Sequence, residues 1–386
     1  MRLIWLALAA LCTACATPPD APTVRFATFN AAMGLAGPGE LAERLESGDD
    51  PALAALAGIL QTIRPDVLLL NEFDYIPGVD AARLLQDHYL SVPQNGREPI
   101  TYTWSFSAPV NTGVDSGLDL DGNGVLGDPA DAWGFGLFPG QYGMLLLSRL
   151  PLEARHARTF QHFPWQAMPG ARQPILPGRQ PFYPSAIWAR LRLSSKSHWD
   201  VPVRVGPAVV HMLLSHPTPP VFDGKEDRNG SRNHDEIRFW ADYVQGDGYF
   251  RDDQGRAGGL PSGRAFVIAG DLNADPLDGD SVPGTIARLL EHPQINSACT
   301  PASDGAVEAA RIQGGANTSQ RGDPAFDTAD FSDRITGNLR VDYVLPASQL
   351  TVTGCGVYWP APGQPGHELI SFSDHRLTWL DVVLQP

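Results

Sequence analysis

Six short polar clusters recur through this chain, each within or beside an apolar run: Asn30; Asn71-Glu72; Ser215-His216; Asp271-Leu272-Asn273; Asp342; and Asp374-His375. An ionisable group among apolar neighbours is costly unless it is paired or binds a cation. A single Asp after a strand is an ordinary turn residue, so no one cluster carries weight by itself. Their joint occurrence does. Carboxylates, carboxamides and histidines gathered in one place could hold a cation or neutralise one another.

The apolar runs define the elements that must position these clusters. Val24 to Asn30 alternates apolar and polar, a strand with one buried face. Residues 51–64 place Leu53, Leu56, Leu60 and Ile63 on one helical face, with Pro51 suited to the first turn. Val67 to Leu70 is apolar throughout, as are most of Met144–Leu147, Ala208–Leu214, Ala265–Ala269, Val341–Leu345 and Leu377–Leu384, which read as further buried strands. Asn233 to Gln245 reads as a second helix stopped by Gly246. The expected architecture is α/β: two packed mixed sheets with helices outside, a four-layer α/β/β/α sandwich. Residues 91–140, 155–185, 217–232 and 303–335 read as loop insertions on that core.

The bulk composition narrows the function. Hydrophobic residues make up 43% of 386, enough for a sizeable core, and the 39 Gly and 35 Pro indicate many ordered turns. The formal net charge is −15 and no Lys/Arg-rich run occurs, which disfavours sequence-blind nucleic-acid binding. Residues 1–21 read as an export signal: Arg2, then an apolar stretch from Leu3 to Leu11, then small residues. Cleavage could follow Ala14-Cys15-Ala16, or Thr13-Ala14-Cys15 could be a lipobox with Cys15 acylated, although Cys12 stands where Leu is usual. Beyond this leader only Cys299 and Cys355 remain, a candidate disulfide in an oxidising compartment, with two buried thiols as the alternative. The expected location is therefore periplasmic, outer-membrane lipoprotein or extracellular.

The segments TFN, LLLNEFD, QYGMLLLSR, LLSHP, VIAGDLNADP, RVDYVL and SDHRLTW, taken in order, resemble the signature blocks of the endonuclease/exonuclease/phosphatase superfamily. That superfamily includes secreted deoxyribonucleases, abasic-site endonucleases, sphingomyelinases and inositol-polyphosphate phosphatases. The resemblance runs from about residue 24 to the C-terminus, so residues 22–386 read as one domain with insertions. By position it implies that Glu72 is the principal carboxylate ligand of a divalent metal, supported by Asn30 and Asp374. Such oxygen donors suit Mg²⁺ or Mn²⁺ better than zinc. The resemblance further implies that Asp271 orients and deprotonates the attacking water. Asn273, expected on the same strand face, would donate to the developing oxyanion. His216 would donate to the phosphate, and His375 would do so with Asp342 fixing its tautomer and raising its pKa. Whether Asp271 or His375 is the base stays open at this level. His211 reads as a packed strand residue, and His88, His156, His162 and His198 as surface residues.

Three further stretches bear on substrate and stability. Asp119-Leu120-Asp121-Gly122-Asn123-Gly124 has the donor spacing of a calcium loop, with Asp119, Asp121 and Asn123 as candidate ligands of a structural Ca²⁺. Ala130 stands at the twelfth position, where such loops carry Glu, so an ordinary acidic turn is the alternative. In Asp223–His234, Lys225, Arg228 and Arg232 could hold a second phosphate or an anionic headgroup; a solvated loop of balanced charge is the preferred reading. Trp133 to Phe138 is a candidate apolar lip, with packed core preferred. The expected activity is metal-assisted hydrolysis of a phosphomonoester or phosphodiester of small-molecule or lipid-headgroup type by a monomer, touching membrane only through an N-terminal lipid anchor. The alternatives are a secreted endonuclease acting on DNA or RNA and, in another class, an inactive calcium-stabilised surface binding protein.

Overall fold

The computed structural model describes residues 23–384, so the expected export leader and the Cys15 anchor lie outside the described residues. In chain order the strands begin with β1 (Thr23–Met33), β2 (Val67–Phe73), β3 (Trp104–Phe106), β4 (Met144–Ser148), β5 (Arg158–Thr159) and β6 (His198–Val205). They continue with β7 (Ala208–Ser215), β8 (Ala265–Asp271), β9 (Ala329–Asp330), β10 (Asn338–Leu339), β11 (Asp342–Pro346), β12 (Thr351–Val357) and β13 (Thr378–Val383). One sheet has the order β12-β13-β1-β2-β4-β3 and the other β11-β8-β7-β6-β5, with β10-β9 a small ribbon. The pairs β1/β2 and β7/β8 are parallel and the other pairs antiparallel, so both large sheets are mixed.

Period-two alternation explains the layering. On β2, Val67 and Leu69 join the core that lies between the sheets, whereas Leu68 and Leu70 join a second core under helices Glu40–Ser47 and Pro51–Ile63. Helix Pro51–Ile63 starts where Asp50 accepts hydrogen bonds from the Ala52 and Leu53 amides, and it stops at Arg64 in the left-handed region. Across the molecule, helix Arg228–Gln245 buries Ile237, Phe239, Trp240, Tyr243 and Val244 against the second sheet. The result is the expected α/β arrangement of two mixed sheets flanked by helices.

Several local expectations change. Helix Arg228–Gln245 begins five residues before Asn233, because its first turns bury polar side chains, Ser231 and Asn233 among them, that carry no apolar period. Strands β6 and β12 were not anticipated: His198, Asp200 and Pro202 interrupt the apolar pattern of one, and Gly354 and Gly356 that of the other. The insertion 303–335 contains helix Asp304–Gln313. His198 is not a surface residue. It is buried between Phe239 and Trp240, with Nε2 2.9 Å from the Glu236 carbonyl and Nδ1 2.6 Å from Ser194 Oγ. Cys299 and Cys355 form a disulfide that ties the segment before helix Asp304–Gln313 to β12.

Candidate active site

Register places the site. At the C-terminal ends of the parallel pair β1/β2, Asn30 lies opposite Asn71; in the antiparallel pair β8/β11, the last residue of β8, Asp271, lies opposite the first of β11, Asp342. The sheets meet through β1 against β8 and β11, and side chains stitch that junction. Asn71 Oδ1 accepts the Asp271 amide at 3.0 Å and Thr28 Oγ1 at 3.3 Å, while Asn30 Nδ2 donates to Asp271 Oδ2 at 3.1 Å. Asn71 had no role in the sequence reading. Its position opposite Asn30 in the parallel ladder, visible only once the pairing is known, gives it one.

Asp271 is the hub. Its Oδ2 also lies 3.3 Å from His216 Nε2 and 3.5 Å from His375 Nε2, and its Oδ1 accepts the Asn273 amide at 3.0 Å. Burial by itself would push this carboxyl up, but His375 and His216 outweigh it and hold Asp271 well below the usual carboxylate range. Behind His375 sits Asp342, whose Oδ2 is 2.9 Å from His375 Nδ1 and accepts Thr328 Oγ1 at 2.8 Å. Burial disfavours a charged His375 ring, yet the Asp342 and Asp271 carboxylates overcome that and push it up to about 10. Ser373 fixes the backbone here, donating from Oγ to the Asn30 carbonyl and accepting the His375 amide. Burial, then Lys196, lowers the His216 pKa, and His216 Nδ1 has no partner among the described residues.

Glu72, Asn273, His216, Asp271, Asp374 and His375 line one cavity of about 980 Å³. Asn30 and Asp342 lie buried against that group, bonded to Asp271 and His375 respectively. Glu72 sits at φ 51° and Asn273 also at φ 51°; a non-glycine residue in the left-handed region costs about 1–2 kcal/mol, a strain that gathers at functional sites. This corrects the strand-face argument for Asn273: β8 ends at Asp271, and Asn273 reaches the cavity on a left-handed turn with Nδ2 donating to the Pro217 carbonyl at 3.1 Å.

The donors divide into two kinds. Asp271, Asp342 and His375 offer ligand atoms within 4.8 Å of one another, but these atoms are already turned on each other and on Thr328 and Asn30. The Glu72 and Asp374 carboxylates face the cavity and make no hydrogen bond or ion pair among the described residues. An orphaned buried oxygen, Asp342 Oδ1, adds to the surplus of acceptors. Unpaired oxygen donors of this kind fit a hard divalent cation, and Glu72 and Asp374 are the carboxylates of the lining that would be free to hold one.

Other candidates fall differently. Asn123 turns its amide nitrogen to Asp121 and Asp128 and its oxygen to the Val125 amide, so the third oxygen donor near Asp119 and Asp121 is the buried Asp131, one position beyond the twelfth. Arg232 is not free for a phosphate: its guanidinium donates to the carbonyls of Leu193, Trp133, Arg192 and Ser194. Arg228 pairs with Glu226, and Lys225 is exposed outside the cavity lining. The stretch 133–138 splits, with Trp133 buried while Phe135 is 61% and Leu137 58% exposed. His211 pairs with Asp200 at 2.6 Å, and His88, His156 and His162 are exposed.

Two packed mixed sheets with a buried carboxylate–imidazole cluster at their adjoining strand ends define a phosphoesterase type of fold. The chain belongs to the Endonuclease/Exonuclease/phosphatase family, whose model matches residues 27–375. An endonuclease/exonuclease/phosphatase from Beutenbergia cavernae DSM 12333 is similar in fold at 17% identity and TM-score 0.52, covering 94% of this chain and 72% of that one. A family protein from Leptotrichia buccalis C-1013-b has 13% identity, TM-score 0.46 and coverage of 94% and 100%. Sphingomyelinase C from Streptomyces griseocarneus has 13% identity, TM-score 0.46 and coverage of 93% and 99%. No curated protein sequence matches the chain.

Proposed function

We propose that this chain is an exported hydrolase that cleaves a phosphomonoester or phosphodiester with the help of Mg²⁺ or Mn²⁺. The observation that carries the reading is Asp271, bonded at once to Asn30, His216 and His375 beside the uncommitted Glu72 and Asp374 carboxylates. Glu72 and Asp374 would hold the cation, which when bound neutralises charge on the phosphate and on the leaving oxygen. Asp271, anionic near neutral pH, accepts a proton or a hydrogen bond from the attacking water. His375, kept cationic by Asp342, is a donor in that range and supplies positive charge to the phosphoryl oxygens; this favours Asp271 as the base. Asn273 adds a neutral donor through its second amide hydrogen, and His216, with Nε2 toward Asp271, helps hold that carboxylate in place.

The mouth of the cavity bears on the substrate. Phe135, Phe222 and Ile335, from three separate loops, line it while 61%, 84% and 77% exposed. An apolar rim on the cavity that holds the polar cluster supports an ester with an apolar portion, such as a lipid headgroup, over a nucleic acid, as does the net charge of −15. The disulfide supports an oxidising compartment.

The test is a panel of phosphomonoesters, phospholipids, other phosphodiesters and plasmid DNA, with Mg²⁺, Mn²⁺ or EDTA. Turnover of a phosphomonoester or a small or lipid diester, abolished by EDTA, supports the reading. Preference for DNA would replace it with an endonuclease. Inertness toward all substrates in the presence of either metal would leave a binding protein.

A further inference from the structure

Lys196 stands out among the cations of the cavity. It is 7% exposed, lies between Ser195 and Ser197 just before β6, and lines the cavity with Glu72, His216 and Asp271. Its ammonium makes no hydrogen bond and no ion pair among the described residues; only its carbonyl is used, by the Asn111 amide. Of the neighbouring carboxylates, Glu72 makes no ion pair with it, and the other two are committed elsewhere. Glu236 accepts the Ser195 amide, Ser195 Oγ and the Thr218 amide, and Asp271 is shared by Asn30, His216, His375 and the Asn273 amide. The two arginines nearby are also spent, Arg232 on four carbonyls and Arg228 on Glu226.

A buried ammonium with three donors and no acceptor is a costly arrangement. With Glu72 reserved for the cation, the cavity is the side from which an acceptor can reach this ammonium, and an anion would answer both its donors and its charge. Chain composition sharpens the point, because the cations are almost all arginine and Lys196 and Lys225 are the only lysines in the sequence. A compact ammonium on a flexible stem offers three rotatable donors to a tetrahedral anion, where a guanidinium presents a fixed planar fork.

We infer that Lys196 is a catalytic residue of this site, donating directly to a non-bridging phosphoryl oxygen of the substrate. The inference rests on the phosphoester reading for its substrate, but its anion chemistry can be tested without turnover. Two lysines make the test direct. Protein labelled with ¹³C only at lysine and loaded with Mg²⁺ is titrated with inorganic phosphate, and the side-chain signals that vanish in Lys196→Met identify Lys196. Those signals should shift saturably while the Lys225 signals stay still, and phosphate should raise the wild-type Tm. Lys196→Met should match or exceed the wild-type Tm without phosphate and keep the Mg²⁺ response but lose the phosphate response, and kcat/KM on the best ester should fall by about 10²–10³-fold.

Unmoved Lys196 signals at phosphate concentrations up to tens of millimolar overturn the inference, whatever the folding of the variant. So does a Lys196→Met protein that keeps its phosphate response or its turnover. Hydrolysis with normal Lys196→Met kinetics removes this residue and leaves the hydrolase. A phosphate-responsive Lys196 in a protein that cleaves no ester removes the hydrolase and leaves the anion site.

Discussion

Two carboxylate-rich trios in this molecule look alike by distance and differ in every other respect. Asp271, Asp342 and His375 meet at the strand ends where the sheets join, fully buried; Asp119, Asp121 and Asp131 meet on an insertion, with only Asp131 buried. In the first, side chains from distant parts of the chain satisfy one another, leaving, among the described residues, Asp342 Oδ1 without a partner and the Glu72 and Asp374 carboxylates unpaired in the lining of the same cavity as Asp271 and His375. In the second, the loop satisfies itself: Asp119 accepts the Gly122 and Gly124 amides, Asp121 that of Asn123, and Asp131 those of Leu120 and Gly127. Proximity of carboxylates therefore does not make a working site. The difference lies in whether any bonding capacity is left over.

The largest effect that could break the contrast is on turnover. Asp271→Asn keeps the shape of the hub but removes the charge that His216 and His375 face. We expect kcat to fall by about 10³–10⁴-fold with an intact fold, checked by steady-state kinetics alongside circular dichroism. Activity within threefold of wild type would put the chemistry elsewhere. Next comes the cation: Glu72→Gln should weaken Mg²⁺ activation by at least about tenfold, read from the metal dependence of the rate. An unchanged Mg²⁺ requirement would shift the ligand role to the Asp271–Asp342–His375 trio.

A buried carboxyl outside both trios, Asp327, lacks the imidazole that faces Asp342. Asp327 adjoins Thr328, which holds Asp342, yet Asp327 Oδ2 has no hydrogen-bond partner among the described residues. Burial, then Asp275, Asp278 and Asp323, push it up to about 8. A carboxyl whose pKa is raised on folding favours the native state below its unfolded pKa near 4 and loses that contribution as pH rises through about 8. Asp327→Asn, which mimics the neutral acid, should stabilise the protein by roughly 2 kcal/mol at pH 9 and hardly at pH 4. Thermal melts across that range check the sign, and equal effects at both ends would refute it.

The legible part of this molecule was its alternation. Apolar runs such as Val67–Leu70 marked the strands, and polar residues at their ends marked where the sheets would open. What stayed hidden depended on partners far away in sequence. Asn71 bridges the sheets only because β2 pairs with β1 and β1 meets β8, and Arg232 reads as a free cation until four carbonyls surround it. Lys196, a lone lysine between serines, carries no period or motif; its meaning is the absence of a partner, which a sequence cannot display. Strand β6 was missed for a related reason, since His198, Asp200 and Pro202 are buried polar or irregular positions satisfied by neighbours rather than by pattern.

The smallest expected effect tests the other side of the contrast. If the insertion holds itself together through its own amides, its stability depends on Asp131 more than on any added ion. Asp131→Asn replaces one acceptor with a donor where the Leu120 and Gly127 amides both need oxygen. The cost should be roughly 1 kcal/mol, because one hydrogen bond is lost and one buried N–H faces another. Since the loop borders the cavity through Leu120 and Asp121 and contributes none of its chemical groups, KM should move more than kcat. Ca²⁺ added to EDTA-treated wild-type protein should shift the Tm by less than the Asp131→Asn substitution does. A larger Ca²⁺ shift, lost in Asp121→Asn, would mean that the loop too keeps bonding capacity in reserve, and the two trios would then differ in chemistry rather than in kind.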